Sequence, residues 1–156
     1  MIQKKDTLLF TKTRPVKSPS RGTILSAGID FYVPEDFTEV LLGPGADVLI
    51  PSGIKVRIPS GFALIAFNKS GVATKKKLIS GACVVDEDYT GEIHLHLINV
   101  GKGNVSIQPN DKILQFILVP VNYSNVSEID NESYNSYGET ERGAGGFGST
   151  DLTGPR

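Results

Sequence analysis

The run Asp86-Glu87-Asp88-Tyr89-Thr90 follows the apolar segment Ala82-Cys83-Val84-Val85 and leads through Gly91 into Glu92. Asp86 is the first polar residue after that segment, where a strand gives way to a turn. A carboxylate at a strand end, partly desolvated, can take a proton from water and act as a general base. Three consecutive acids also invite a cation, but Asp86 and Asp88 share a face only while the backbone stays extended. An acidic β-turn is the plainer alternative, because Asp is an ordinary turn residue.

A second stretch, Arg142-Gly143-Ala144-Gly145-Gly146-Phe147-Gly148-Ser149-Thr150, is useless for building a core. Its glycines leave backbone N–H groups approachable, which suits phosphate. Arg142 adds a planar, permanently charged fork for the same target. Phe147 cannot bury itself among glycines and is free to stack on a flat partner such as a base. An unstructured Gly-rich end is the alternative. Asn68-Lys69-Ser70-Gly71 joins a cation, a hydroxyl and a helix start, three features that phosphate favours. Ser70 reads equally as an ordinary helix N-cap. Ala27-Gly28-Ile29-Asp30-Phe31 and Asn110-Asp111-Lys112-Ile113-Leu114-Gln115-Phe116, taken singly, are turns entering strands. His94 and His96 share a strand face with Glu92 and imitate a metal triad. With no further histidine to complete a site, sheet surface is the expectation.

These groups need a scaffold, and the pattern supplies strands. Ile54-Lys55-Val56-Arg57-Ile58 alternates apolar and charged residues between Pro51-Ser52-Gly53 and Pro59-Ser60-Gly61, the mark of a half-buried strand between turns. Residues 7–10, 29–33, 48–50, 62–66, 81–85, 92–99, 105–107 and 113–119 read similarly. Many short strands with frequent turn residues predict an all-β sandwich or barrel. One short helix is expected over residues 70–77, capped by Ser70, with Lys75-Lys76-Lys77 near its C-terminal end. After Val121 the chain turns polar and loses periodicity. Residues 1–121 therefore read as the β-domain, 122–141 as a linker and 142–156 as an arm. Tyr123, Tyr134 and Tyr137 fall in the linker, as contacts for a neighbouring subunit.

With 156 residues, 39% of them hydrophobic, the chain can bury a real core as one domain. A formal charge of −1 gives no general affinity for a nucleic-acid backbone, so any basic site is local. Cys83 is the single cysteine, which excludes an intrachain disulfide and suits a reducing compartment. No apolar run reaches membrane-spanning length, so a soluble, cytoplasmic protein is expected.

Read together, in order and spacing, five segments resemble the five motifs of the homotrimeric dUTPase (dUTP diphosphatase) family. They are Ala27-Gly28-Ile29-Asp30, Lys69-Ser70-Gly71-Val72-Ala73, Val85 through Glu92, Asp111-Lys112-Ile113-Leu114-Gln115, and Arg142 through Thr150. The resemblance implies a jelly-roll-like distorted β-barrel, a homotrimer, and active sites between subunits, each capped by a neighbour's C-terminal arm. It implies hydrolysis of dUTP to dUMP and diphosphate, which limits uracil in DNA and supplies dUMP, with Mg²⁺ on the triphosphate. Asp86 would then activate the attacking water, and Tyr89 would lie under the deoxyribose. Lys69, Ser70 and Gly71 would hold phosphates, while the main chain of Ala82 and Cys83 would read uracil. Gln115 would support the phosphates, and Asp30 the metal's water shell. Arg142 would grip the γ-phosphate, Phe147 would stack on the base, and Gly148, Ser149 and Thr150 would wrap the phosphates.

Three positions depart from the family pattern. Lys69 stands where arginine is usual, keeping the charge but losing the fork. Cys83 replaces a glycine, so its side chain is expected to point away from the uracil slot. Asn110 replaces a turn glycine, a position that asparagine tolerates in the left-handed conformation.

Overall fold

Short runs with one apolar and one polar face need a core on one side only, and antiparallel sheets meet that need. The computed structural model of the chain describes residues 7–145. Among them the strands are β1 (Leu9–Lys12), β2 (Ile29–Tyr32), β3 (Val40–Leu42), β4 (Asp47–Arg57), β5 (Phe62–Asn68), β6 (Leu78–Ser80), β7 (Val84–Val85), β8 (Glu92–Asn99), β9 (Val105–Ile107) and β10 (Lys112–Pro120). A π-helical turn spans Val72–Lys76, and a short α-helix, α1, spans Asn131–Asn135. One sheet has the order β1-β4-β8-β6 and a second β2-β10-β5-β7, while β3 pairs with β9. Every pairing is antiparallel, and no barrel closes. The all-β, jelly-roll-type expectation holds.

The core forms where the two larger sheets turn their apolar faces to one cluster. Ile93, Leu95 and Leu97 of β8 meet it from one side, and Phe31, Leu64, Leu114 and Phe116 from the other. Phe31 and Phe116 pack with ring centroids 4.5 Å apart. Each such side chain contributes about 1.5–3 kcal/mol by leaving water.

The observed elements depart from the pattern reading in several places. β4 is one long strand, because Pro51-Ser52-Gly53 forms a bulge rather than a turn. Gly53 adopts φ +75°, its N–H donates to Glu92 Oε1 at 2.6 Å, and Ser52 Oγ accepts from Ile54 N–H. Only Val84–Val85 of the expected strand 81–85 pairs as β7, and the short strands β3 and β6 lacked a readable period. Ser70 does not cap the helical turn: Gly71 stands at the cap with no side-chain bond. Ser70 instead offers its carbonyl to Thr74 Oγ1 at 2.7 Å. Asn110 does take the left-handed conformation, at φ +67°.

The chain divides after Tyr123 into two compact units. All ten strands lie in the first. In the second, α1 is capped by Asp130, whose carboxylate accepts from Ser133 N–H at 2.7 Å. No helix among the described residues is long and apolar enough to cross a membrane.

Candidate active site

β7 ends at Val85 and delivers Asp86 into a tight turn, closed by Tyr89 N–H donating to the Asp86 carbonyl at 3.1 Å. Glycine at 91 makes room for the tyrosine: a Cβ there would lie 2.3 Å from Tyr89 Oη. The ring is pinned by its hydroxyl donating to the Glu92 carbonyl at 2.9 Å. Ala82, Cys83, Asp86 and Tyr89 line one cavity of about 180 Å³. The cavity gathers these four expected site residues with His94, which sequence reasoning set aside. Among the described residues Asp86 is exposed rather than partly desolvated. Cys83 lines the cavity and also packs against the core.

The acidic turn is held by its middle residue. Glu87 Oε2 accepts from Gly61 N–H at 2.8 Å and from the Tyr123 hydroxyl at 2.9 Å. These bonds, with one from Ser60, hold the Glu87 carboxyl below its ordinary range. The hydrogen bond to Glu87 pushes the Tyr123 phenol up, since ionising it would forfeit that bond and oppose the negative charges of Glu87, Asp86 and Asp88. Tyr123 is therefore a brace of the first unit rather than a linker residue.

The Ala82–Cys83 segment has a brace of its own. Ala82 N–H donates to His96 Nδ1 at 2.8 Å, and His96 Nε2 faces Asp47 Oδ2 at 3.0 Å. Both partners are satisfied by one tautomer, with the proton on Nε2. Gly81 permits the contact, for a Cβ there would lie 2.2 Å from Nδ1.

The remaining motif residues gather elsewhere. Asp30, nearly buried on β2, pairs with Lys69 through one carboxylate oxygen and with Lys112 through the other at 3.1 Å. That bond raises the Lys112 pKa. Gln115 Nε2 donates to the Asn68 carbonyl at 2.8 Å, directly over Gly28. Around Gly71 nothing lies within 4 Å of a would-be Cβ, leaving open backbone. This cluster does not meet Asp86 within the chain. Val85 pairs with Leu64 near one end of β5, while Asn68 ends the strand and Lys69 follows it, about 13–16 Å farther along.

Residues 14–151 match the family model dUTPase. The chain belongs to the dUTPase family. It is 34% identical over 142 residues to the deoxyuridine 5'-triphosphate nucleotidohydrolase of Debaryomyces hansenii, covering 91% of this chain and 85% of that protein. The Saccharomyces cerevisiae protein of the same name is 35% identical, with 85% of each chain covered. Among solved structures, a mutant dUTPase of Staphylococcus bacteriophage 80alpha with dUpNHpp aligns with a TM-score of 0.81 at 21% identity, over 93% of this chain and 98% of that one. That likeness concerns the fold of this dUTPase-family chain. Its Arg142 lies in the second unit, where Nε donates to the Gly145 carbonyl at 2.9 Å. Phe147, Gly148, Ser149 and Thr150 lie outside the described residues.

No group of three His, Cys, Asp or Glu side chains among the described residues could hold a metal. Asp30 engages Lys69 and Lys112 through its two carboxylate oxygens and supplies no direct ligand set for a metal with other acids among the described residues. The donor set fits a hard cation only if the substrate's own phosphate oxygens carry it.

Proposed function

We propose that this chain hydrolyses dUTP to dUMP and diphosphate in the cytoplasm, with Asp86 as general base. The observation that carries the reading is the shared cavity of Asp86, Tyr89, Ala82 and Cys83. Asp86 takes a proton from water, and the resulting hydroxide attacks the α-phosphorus. The bond from that phosphorus to the α–β bridging oxygen breaks, and diphosphate leaves. Such a reaction needs mainly positioning and charge neutralisation. Mg²⁺ carried on the triphosphate supplies part of that neutralisation. Tyr89, fixed across Gly91, gives the deoxyribose a flat floor with no room for a further hydroxyl. The backbone of Ala82 and Cys83 reads the uracil edge.

The cavity is smaller than the roughly 300–1,000 Å³ of ordinary ligand sites. It takes a base and part of a sugar, and Asp86 stands exposed on its wall. The phosphate-holding groups lie toward the far end of β5: Lys69, Ser70 and Gly71 follow that strand, and Gln115 of β10 pairs with Phe67. Both facts support a site completed by a second copy, in a homotrimer whose arm, with Arg142, Phe147, Gly148, Ser149 and Thr150, closes over the ligand. Asp30 then positions Lys69 for the phosphates.

Complementation tests this reading. Asp86→Asn and Gln115→Ala chains, each assembled alone, lose most diphosphate release from dUTP. Refolded together, they regain activity, because about a quarter of shared sites combine an intact Asp86 with an intact Gln115. No recovery would rule out shared sites, and full turnover by Asp86→Asn alone would remove Asp86 as the base.

A further inference from the structure

A cavity of about 570 Å³ lies outside the site described above, walled by Lys75, Lys76, Lys77 and Lys102 with Ser106 and Asp111. Of the four lysines only Lys76 has an ion pair among the described residues, with Asp111 at 3.4 Å. A further acid, Glu39, stands behind the wall and accepts from Ser106 Oγ and from Gln108 Nε2. The groove therefore stays cationic in a chain whose formal charge is −1.

Its walls are held in place, although like charges repel. Lys77 adopts a left-handed conformation at φ +57°, which is strained outside glycine. Val100 N–H donates to the Lys77 carbonyl at 2.9 Å, and a Cβ on Gly101 would lie 2.9 Å from that of Lys77. Opposite, the fully buried Asn99 donates to the carbonyls of Leu42 and Gly103 and accepts from Gly101 N–H, each at 2.9 Å. That side chain fixes the loop carrying Lys102.

We propose that this groove is a second polyphosphate-binding site, taking the di- or triphosphate group of a free anion or nucleotide. Compact ammonium charges suit flexible phosphate chains, whereas planar bidentate recognition calls for arginine. No aromatic side chain among the described residues lines the groove, so those residues offer none of the stacking platforms by which proteins hold single-stranded nucleic acid. Asp111 and its neighbour Lys112 join the groove to the Asp30–Lys69 cluster. Phosphate held here thus lies beside the phosphate end of the proposed active site.

The test is an amide NMR titration of the full chain with inorganic diphosphate, followed by a mixed-sequence oligonucleotide. Diphosphate shifts the amides of Gly101, Lys102, Gly103 and Ser106 in a salt-dependent way. A Lys75→Gln, Lys77→Gln, Lys102→Gln variant loses those shifts at least tenfold in affinity and keeps any at Ser70 and Gly71. Unmoved loop amides, shifts that survive the triple change, or tighter binding of the oligonucleotide would each overturn the proposal. The titration reads binding alone, so its result stands whether or not the chain hydrolyses dUTP.

Discussion

Gly28→Ala probes the packing that joins the first and fourth motifs. A Cβ at residue 28 would lie 2.0 Å from Gln115 Oε1, 2.7 Å from Cδ and 3.0 Å from Cβ. The amide can swing aside only by giving up its bond to the Asn68 carbonyl, about 1 kcal/mol. The Gln115 Cβ cannot swing, because it is fixed to β10 between β2 and β5. Overpacking of this kind costs about 1–3 kcal/mol, and replacing glycine recovers about 0.4–1 kcal/mol from the unfolded chain. The net expectation is a loss of about 1–3 kcal/mol. It is read as a lower urea midpoint at unchanged slope and fixed protein concentration. Gln115→Ala alone costs about 1 kcal/mol, and in the double variant most of the clash disappears. The two changes should therefore couple by about 1–2 kcal/mol in the favourable direction. Wild-type stability for Gly28→Ala, or strict additivity in the double variant, would refute the packing argument. In the enzyme assay, Gly28→Ala should raise KM for dUTP, since the displaced amide no longer stands at the phosphate end.

Other outcomes follow from the braces of the acidic turn and of the Ala82 segment before it. His96→Leu leaves Ala82 N–H without its acceptor, worth about 1 kcal/mol, so KM should rise about fivefold with kcat little changed. His96→Asn, whose Oδ1 can accept that bond, should restore KM; equal defects in both variants would count against a positioning part for His96. The lowered Glu87 carboxyl stabilises the fold fully above its ordinary value of 4.5, and that contribution is lost as pH falls through the lower folded value. Glu87→Gln should flatten the fall of the urea midpoint on the acid side; an unchanged profile would assign that fall to other groups. The raised Tyr123 phenol works in the opposite sense. Its contribution is present below its ordinary value of 10.0 and is lost as pH rises through the higher folded value. Tyr123→Phe should flatten the alkaline limb of the same curve, and a limb of unchanged slope would show that Tyr123 does not set it.

Much of the fold was legible because alternation reports directly on which face a strand buries. Residues 92–99 and 105–107 appear as strands with the bounds their pattern suggests. The failures have local physical causes. Pro51-Ser52-Gly53 carries turn residues, yet Glu92 and Thr13, far away in sequence, supply the bonds that make it a bulge within β4. Ser70 has the chemistry of a cap, but the helical turn starts one residue later and takes π geometry. His96 looked like sheet surface because its partners, Ala82 and Asp47, are brought to it only by the sheet.

By itself the sequence determined the chemistry on offer: a carboxylate and a tyrosine in one turn, cations and glycines for phosphate, and strands to hold them. Those properties reside in side-chain type and short spacing, which the linear chain displays. Tertiary structure decided which groups can act together. Pairing β5 with both β7 and β10 puts Asp86 at one end of that strand and Lys69 and Gln115 at the other. Strand geometry keeps those ends apart, which is the reason the proposed site draws on a second copy.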